Sequence, residues 1–329
     1  MAKLVATEIL KVGEDMTEFK STRTAYGEIL LELAREGKEF FGISADTSKS
    51  MGIATLATEF PQRCFDVGIA EQNLMMVAAG MVSTGKTVFA STYSAFSSMR
   101  ACEQIRTFIA YPGLNVKIVS GLGGLSAGIE GVTHIALEDL GIMRCIPDIV
   151  IINPADTIAT KQAVREAMNH DGPVYIRLGR EASPVIFDDS YKLKLGKGVV
   201  LDDAGNDIAL ITSGLITYEV IQAASVLAEK GIGCKVVEIH TLKPIDADLI
   251  IEIARQVKAV VTVEEHTVIG GLGSAVAEVL SENAPVLLKR IGVEDCFVES
   301  ATPDELIDKY GLSAPKIVEA VERFICKIN

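Results

Sequence analysis

Short apolar runs rich in branched residues alternate with amphipathic stretches through the first half of the chain. The runs have the length of buried strands, and the stretches between them repeat their apolar residues with a helical period. Strands that alternate with helices in this way predict a parallel sheet covered by helices on both faces. The predicted strands are Phe40–Ala45, Val88–Ala90, Val116–Ser120, Ile149–Ile152 and Val174–Leu178.

The alternation lapses over Ser183–Lys197, a loop-like stretch that contains a proline, a glycine and paired aspartates. The pattern then resumes, with strands predicted at Ile208–Thr212, Cys234–Ile239, Ala259–Glu264 and Val286–Arg290, and helices at Tyr218–Lys230 and from about Gly273. The predicted fold class is therefore α/β, with two doubly wound domains. The expected boundaries are an N-terminal extension over residues 1–20, a first domain over 21–190 and a second domain over 191–329.

The charge of the chain is negative, −13 over 329 residues, and no basic cluster interrupts it. Because nucleic-acid binding needs basic patches, no nucleic-acid partner is expected. Scattered charges over Met1–Met16, and the lack of an apolar run of bilayer-spanning length, favour a cytoplasmic protein without a membrane partner. The six cysteines are widely spaced and form no CxxC pair, which favours reduced thiols.

Two glycine-rich stretches follow predicted strands. Gly121–Gly128 has Ser126 where a dinucleotide fingerprint needs its third glycine, and the stretch runs on into a loop, so a nicotinamide site is disfavoured. Gly270–Gly273 is interpreted as a tight turn that packs closely against its surroundings.

None of the four histidines stands at a metal-ligand spacing from another histidine or a cysteine, so a protein-bound zinc ion is not expected. His170 is interpreted as a turn residue, and His240 and His266 as structural residues that each follow a strand. His134 ends the glycine-rich loop Gly128–His134, where a backbone can approach a ligand closely. On this ground a structural and a functional role for His134 both remain open.

A carboxylate, Glu71, stands at the start of a strongly apolar predicted helix. An acidic residue at this position is favoured by the helix macrodipole, so it has a structural explanation. The local pattern by itself favours that explanation over a catalytic one.

Several separated motifs, in order and with matching spacing, closely resemble the pyrimidine-binding domain of transketolases. They are Gly68–Leu74, Ser91–Phe96, Gly131–His134 and Arg177–Glu181. A further motif, Val263–Ser274, resembles the transketolase C-terminal domain, and the resemblance covers roughly residues 20–325. Residues 21–190 are then the expected pyrimidine-binding domain, and residues 191–329 the expected C-terminal domain.

The resemblance implies an enzyme that uses thiamine diphosphate to transfer a two-carbon ketol unit from a ketose or its phosphate to an aldose or its phosphate. Glu71 is then the carboxylate that faces a ring nitrogen of the aminopyrimidine and shares a proton with it. Tyr93 and Phe96, three positions apart at an expected helix start, match the aromatic residues that stack on this ring. Asp46 matches an aspartate that lies near the cofactor across a subunit interface.

The resemblance also implies substrate contacts. His134 matches a histidine that contacts the donor sugar, which favours its functional role. Arg23, Ser50 and Arg180 match residues that bind the substrate phosphate, a task that suits the planar fork of arginine.

The chain departs from the family near this substrate site. Leu122 stands about where full-length transketolases have a phosphate-contacting histidine, and Glu130 replaces an aspartate that reads a substrate hydroxyl. We therefore expect a retained but weakened preference for phosphorylated sugars.

The sequence contains no Gly-Asp-Gly motif followed by the asparagine with which such enzymes bind magnesium. The resemblance is thus to the C-terminal subunit of a split transketolase, which is active only with an N-terminal subunit that binds Mg²⁺. A heterotetramer with two copies of each subunit is expected. A 1-deoxyxylulose-5-phosphate synthase-like enzyme, a 2-oxoacid dehydrogenase β-subunit-like enzyme and a non-catalytic paralogue are the alternatives; Thr133 with His134 argues against the second, and Glu71 with His134 against the third.

Overall fold

The computed structural model describes residues 18–328, with side chains to residue 327, so most of the extension predicted over residues 1–20 lies outside the described part. Apolar runs form strands over this range wherever they were predicted. The strands are β1 Phe19–Ser21, β2 Phe41–Ser44, β3 Cys64–Asp66, β4 Val88–Tyr93, β5 Val116–Gly121, β6 Val150–Ile152, β7 Val174–Arg177, β8 Ala182–Pro184, β9 Val199–Asp203, β10 Ile208–Ser213, β11 Cys234–Glu238, β12 Thr241–Lys243, β13 Ala259–Thr267 and β14 Leu287–Val293.

Helices connect the strands. They are α1 Thr22–Arg35, α2 Ile53–Ala57, α3 Glu71–Val82, α4 Cys102–Gln104, α5 Asp139–Arg144, α6 Thr157–Asn169, α7 Thr217–Glu229, α8 Ala247–Ala254, α9 Leu272–Asn283, α10 Pro303–Lys309 and α11 Ala314–Ile328. The π-helical turns Phe96–Arg100 and Ile105–Ala110 flank α4. Side chains cap the N-termini of several helices. For example, Asp156 accepts a hydrogen bond from the backbone N–H of Ala159 at the start of α6. Over residues 18–328, no helix is long and apolar enough to cross a bilayer.

The first sheet has seven strands in the order β12–β6–β7–β5–β4–β2–β3, and all neighbours are parallel except β12 and β6. Strands β5 and β7 are buried at every position, which explains their continuous apolar character, because helices cover both faces of a parallel sheet. The edge strand β3 is short and largely exposed, so it carried no such signal.

The second sheet has five strands in the order β14–β13–β10–β11–β9. Its neighbours are parallel except β9, which pairs antiparallel with β11. The two sheets with their flanking helices confirm the predicted α/β class with two α/β units.

The two units are tied together by backbone pairing and by a buried arginine. Strand β12 comes from the second half of the chain and completes the sheet of the first half by pairing with β6. Arg177 on β7 forms a buried ion pair with Asp139, 2.9 Å from Nε to Oδ2, and donates to the carbonyl of Glu265 on β13 at 3.0 Å. The division near residue 190 stays a prediction, since elements on either side of it share these contacts.

The predicted boundary stretch begins with the last two residues of β8, Ser183 and Pro184; from there to β9 it has no helix or strand, but it is anchored in the core. The buried rings of Phe187 and Tyr191 stack at 3.9 Å, and Asp156 Oδ2 accepts hydrogen bonds from the backbone N–H groups of Ile186 and Phe187, each at 2.9 Å. The Tyr191 hydroxyl donates to Glu238 at 2.9 Å. Burial raises the pKa of Asp156 to about 6 and that of Glu238 to about 8.

Candidate active site

Most residues singled out from the sequence lie at the edge of the first sheet where its parallel strands end. Tyr93 is the last residue of β4, Asp46 and Ser50 follow β2, and Arg180 follows β7. The carboxyl ends of parallel strands are the usual position of ligand sites in open α/β sheets. Glu71 belongs to the same edge, because α3 begins there after β3, which runs parallel to β2.

The carboxylate of Glu71 is buried, with 3% of its side chain exposed, and its Oε2 accepts a hydrogen bond from Nη1 of Arg100 at 2.8 Å. The Arg100 guanidinium also lies over the ring of Phe96, with Cζ 4.3 Å from the ring centroid. Glu71 stands in the first turn of α3, where the macrodipole favours an acid. Burial beside an arginine and an aromatic ring goes beyond what a surface helix-terminal acid requires.

Three rings form a cluster next to the Glu71–Arg100 pair. Phe96 and His134 are in edge contact with centroids 5.1 Å apart, and Tyr93 lies 5.9 Å from Phe96 and 6.0 Å from His134. The expectation that Tyr93 lies on a helix is wrong. It still belongs to β4, because β4 pairs with β5 up to the register Tyr93–Gly121, and Phe96 begins the π-helical turn.

The residues matched to substrate phosphate form a connected polar network. The Ser50 hydroxyl lies 2.9 Å from the Tyr93 hydroxyl. Arg23 donates from Nη1 to the carbonyl of Ser50 at 2.8 Å and from Nη2 to the carbonyl of Arg180 at 2.6 Å. Burial lowers the pKa of Arg23 below its usual value. Arg23 therefore also holds the loop before α2 against the loop after β7.

Glu130 links the arginine end of this network to His134. The Glu130 carboxylate lies 3.0 Å from Nε of Arg180 and 3.8 Å from Nε2 of His134. A second carboxylate, that of Glu181, accepts from Nη1 of Arg180 at 2.6 Å. The Thr133 hydroxyl is 2.9 Å from Nδ1 of His134 and orients its ring. Two acids thus compete with any bound anion for Arg180.

Asp46 is exposed and follows β2 with a positive φ of 56°, an uncommon conformation for a non-glycine residue. Its backbone N–H donates to Asp66 Oδ1 at 2.9 Å, and Asp66 also accepts from the Gly68 N–H at 2.8 Å and from the Ser44 hydroxyl at 2.7 Å. Burial opposes the ionisation of Asp66, yet these three hydrogen bonds keep its pKa below the usual value. Asp66 therefore connects the Asp46 turn to the segment that leads into Glu71.

The glycine-rich stretch before His134 is packed by the second half of the chain. A Cβ on Gly124 would stand 2.5 Å from the Glu265 carboxyl group, and one on Gly128 would stand 3.0 Å from Pro303. The N–H of Ser126 donates to Glu265 Oε1 at 2.9 Å. Burial raises the pKa of Glu265 to about 7.

Leu122 is buried, with a φ of 61°, so it packs into the core at the end of β5.

His170 follows the last residue of α6, whereas His240 and His266 are fully buried. His266 is buried inside β13, rather than after a strand as predicted, and its Nε2 lies 3.3 Å from the N–H of Gly141. Burial lowers the pKa of both His240 and His266 to about 4. Glu264 accepts hydrogen bonds from the N–H groups of Leu272 and Gly273 at the start of α9, which explains the glycine-rich turn as packing.

Sequence reasoning assigned no role to Arg100 or Asp66. Arg100 stands four positions after Phe96, a spacing that brings helical side chains together, so its contact with that ring could have been foreseen. Its pairing with Glu71, 29 positions away, depends on tertiary packing. No group of three or more potential metal-ligating side chains occurs in residues 18–328.

The family models that match the chain agree with this architecture. Residues 19–185 match the transketolase pyrimidine-binding domain and residues 196–317 match the transketolase C-terminal domain. The chain belongs to the transketolase family.

Similar proteins include chains that are named as transketolase subunits. The 6-deoxy-6-sulfo-D-fructose transketolase subunit of Clostridium sp. strain MSTE9 is 41% identical, over 91% of this chain and 92% of that protein. An apulose-4-phosphate transketolase subunit of Phocaeicola vulgatus is 36% identical, over 93% and 97%. A solved structure described as a split-gene transketolase in an inactive β4 tetramer has 46% identity and a TM-score of 0.86, covering 93% of this chain and 98% of that chain.

Proposed function

We propose that this chain is the pyrimidine-binding subunit of a two-chain transketolase that moves a two-carbon ketol unit from a ketose to an aldose. The observation that supports this most strongly is the buried Glu71 carboxylate beside the rings of Tyr93, Phe96 and His134, within a domain of the transketolase family. Bound thiamine diphosphate would supply the nucleophilic carbon for this chemistry.

The residues present fit the aminopyrimidine ring of that cofactor. A buried carboxyl group that meets a ring nitrogen can hold or share a proton there, and Glu71 is buried at the start of α3. Phe96 and Tyr93 offer aromatic surface on which a flat ring can stack. Asp46, on the exposed turn after β2, is proposed to contact the cofactor across the subunit interface.

His134 is proposed to act on the hydroxyl groups of the donor sugar. Thr133 orients the ring through Nδ1, and Nε2 is directed toward Glu130, 3.8 Å away. A sugar hydroxyl within hydrogen-bond distance of both Nε2 and Glu130 could therefore exchange a proton with the imidazole or donate to the carboxylate.

Arg23, Ser50 and Arg180 are proposed to bind the anionic end of the sugar. The names of the two related subunits describe sugars that carry a sulfonate or a phosphate group. Arg180 already contacts Glu130 and Glu181, so an arriving anion must displace at least one carboxylate. This competition supports a moderate preference for phosphorylated sugars. The identity of the donor and acceptor sugars depends on sugar contacts that this chain and the partner subunit make together.

A partner subunit is required by this proposal, because the chain lacks the magnesium-binding motif of the family. Exposed apolar side chains next to the site residues are suited to such a contact: Ile69, Met99, Ile129 and Val132. The similar split-gene protein is described as inactive in its β4 form. The proposed assembly is a heterotetramer in which the partner binds Mg²⁺ and the diphosphate.

Reconstitution tests the proposal. The purified chain is mixed with the N-terminal subunit, thiamine diphosphate and Mg²⁺, and ketol transfer from a ketose phosphate to an aldose phosphate is followed. Activity is expected only in the complete mixture. Transfer by the chain alone, or a fully assembled mixture without any transfer, would contradict it.

A further inference from the structure

Arg100 makes two contacts of different kinds with one flat group. One face of its guanidinium lies over the Phe96 ring at 4.3 Å, and one N–H points at Glu71 Oε2 at 2.8 Å. An aminopyrimidine ring bound as proposed would present the same two features, a flat face toward an aromatic ring and a polar edge toward Glu71. Arginine can reproduce them because its guanidinium is planar, stacks on aromatic faces and carries hydrogen-bond donors along its edge.

The pairing with Arg100 also stabilises the buried Glu71 carboxylate. A buried carboxylate is costly unless a cation or hydrogen-bond donors satisfy it. Glu71 is 3% exposed and Arg100 is 48% exposed, so the arginine reaches inward from the surface to neutralise a buried acid.

The backbone places Arg100 for this role. Phe96–Arg100 is a π-helical turn, closed by the hydrogen bond from the Ala101 N–H to the Phe96 carbonyl at 3.0 Å. π-Helical turns are rare in proteins, and those that do occur are often found at functional sites. The turn begins at Phe96 and ends at Arg100, and it brings the Arg100 guanidinium over the Phe96 ring.

We infer that Arg100 is a stand-in for the cofactor's pyrimidine ring: it occupies the Glu71–Phe96 position in the cofactor-free chain and leaves when the ring binds. The inference rests on the proposed function. An arginine that stayed on Glu71 would occupy the carboxylate oxygen that a ring nitrogen has to reach. By competing for this position, Arg100 lowers the apparent affinity for the cofactor, because only the population in which it has left Glu71 binds.

The test compares Arg100→Ala and Arg100→Lys with the wild type. Arg106→Ala is the matched control, since Arg106 lies on the adjoining π-helical turn and is exposed. Dissociation constants for thiamine diphosphate are measured by calorimetry on the two-subunit complex, at saturating partner and Mg²⁺. Melting temperatures of the cofactor-free complexes are measured in parallel.

We expect Arg100→Ala to bind thiamine diphosphate about tenfold more tightly and to melt at a lower temperature without cofactor. Arg100→Lys keeps the charge without the planar group and should fall between wild type and alanine, while Arg106→Ala should match the wild type. Unchanged or weaker binding by Arg100→Ala, with binding by the wild type intact, would overturn the stand-in role alone. If neither wild type nor variants bind the cofactor, the proposed function fails and the inference fails with it.

Discussion

The Glu130 carboxylate lies 3.0 Å from Nε of Arg180, so the arginine matched to substrate phosphate is already paired with an acid of its own chain. A bound phosphate must compete with this acid for the planar fork of Arg180. The relationship gives the anion preference of the site a physical origin that variants can test.

Arg180→Ala should raise the KM for phosphorylated acceptors by about tenfold and leave kcat for free aldoses nearly unchanged. The interaction touches a remote anion that is present throughout the reaction, so its loss appears as uniform binding. Glu130→Gln, which removes the competing charge, should shift the KM ratio in the opposite direction. Steady-state kinetics with paired free and phosphorylated acceptors decide the matter; an equal effect of Arg180→Ala on both would refute the phosphate assignment.

His134→Ala should reduce donor turnover by roughly 10²-fold, because an imidazole that exchanges protons with a substrate hydroxyl contributes about this much. Activation of the cofactor itself should change little, since His134 is proposed to act on the sugar and Glu71 on the cofactor. Turnover and cofactor-carbon exchange are measured on the same complex, with His170→Ala, a change outside the site, as control. A comparable loss of exchange in His134→Ala would assign the residue to the cofactor instead.

Buried carboxyl groups should make the folded chain less stable at alkaline pH. Burial raises the pKa of Glu238 to about 8, so the folded chain holds a proton that the unfolded chain loses above pH ~4.3. The free energy of unfolding therefore falls as the pH rises toward 8. Asp156 acts in the same direction up to about pH 6 and Glu265 up to about pH 7. Lowered pKa values have the opposite effect: that of His266, about 4, acts only below pH ~6.5, and that of Lys117, about 7, acts above pH 7.

Denaturant unfolding of the chain between pH 6.5 and 8.5 checks this expectation. Glu238→Gln should flatten the decline, because a neutral amide has no proton to lose, whereas Glu229→Gln on the exposed end of α7 should leave it unchanged. A wild-type pH dependence that Glu238→Gln leaves unchanged would contradict the protonated state of Glu238.

Gly124→Ala should destabilise the chain more than Gly37→Ala. Both glycines have a positive φ, 68° and 83°, so both variants strain the backbone by about 1–2 kcal/mol. A Cβ on Gly124 also meets the Glu265 carboxyl group, whereas nothing stands within 4 Å of one on Gly37. We expect a loss of about 3 kcal/mol for Gly124→Ala. Equal losses in chemical denaturation would show that the packing of the two halves adds nothing.

The strands of the two sheet interiors could be predicted from sequence, because a strand buried on both faces must be apolar throughout. The edge strand β3 and the short strand β12 could not, since β3 is largely exposed and β12 depends on a partner about 90 positions earlier in the chain. Motif resemblance pointed to Glu71 and the aromatic residues near it. It could not show that Arg100 pairs with Glu71, or that the glycines before His134 accept Glu265 and Pro303 from the second half.

The most direct test of the account is the exchange of the thiazolium-carbon hydrogen of thiamine diphosphate for deuterium in the two-subunit complex, followed by NMR. The wild type should accelerate this exchange, and Glu71→Gln should slow it by about 10²–10⁴-fold while the assembly and the circular dichroism spectrum remain those of the wild type. Glu103→Gln, an exposed acid on α4, serves as the control. Wild-type exchange in a correctly assembled Glu71→Gln complex would contradict the central claim that Glu71 activates the cofactor.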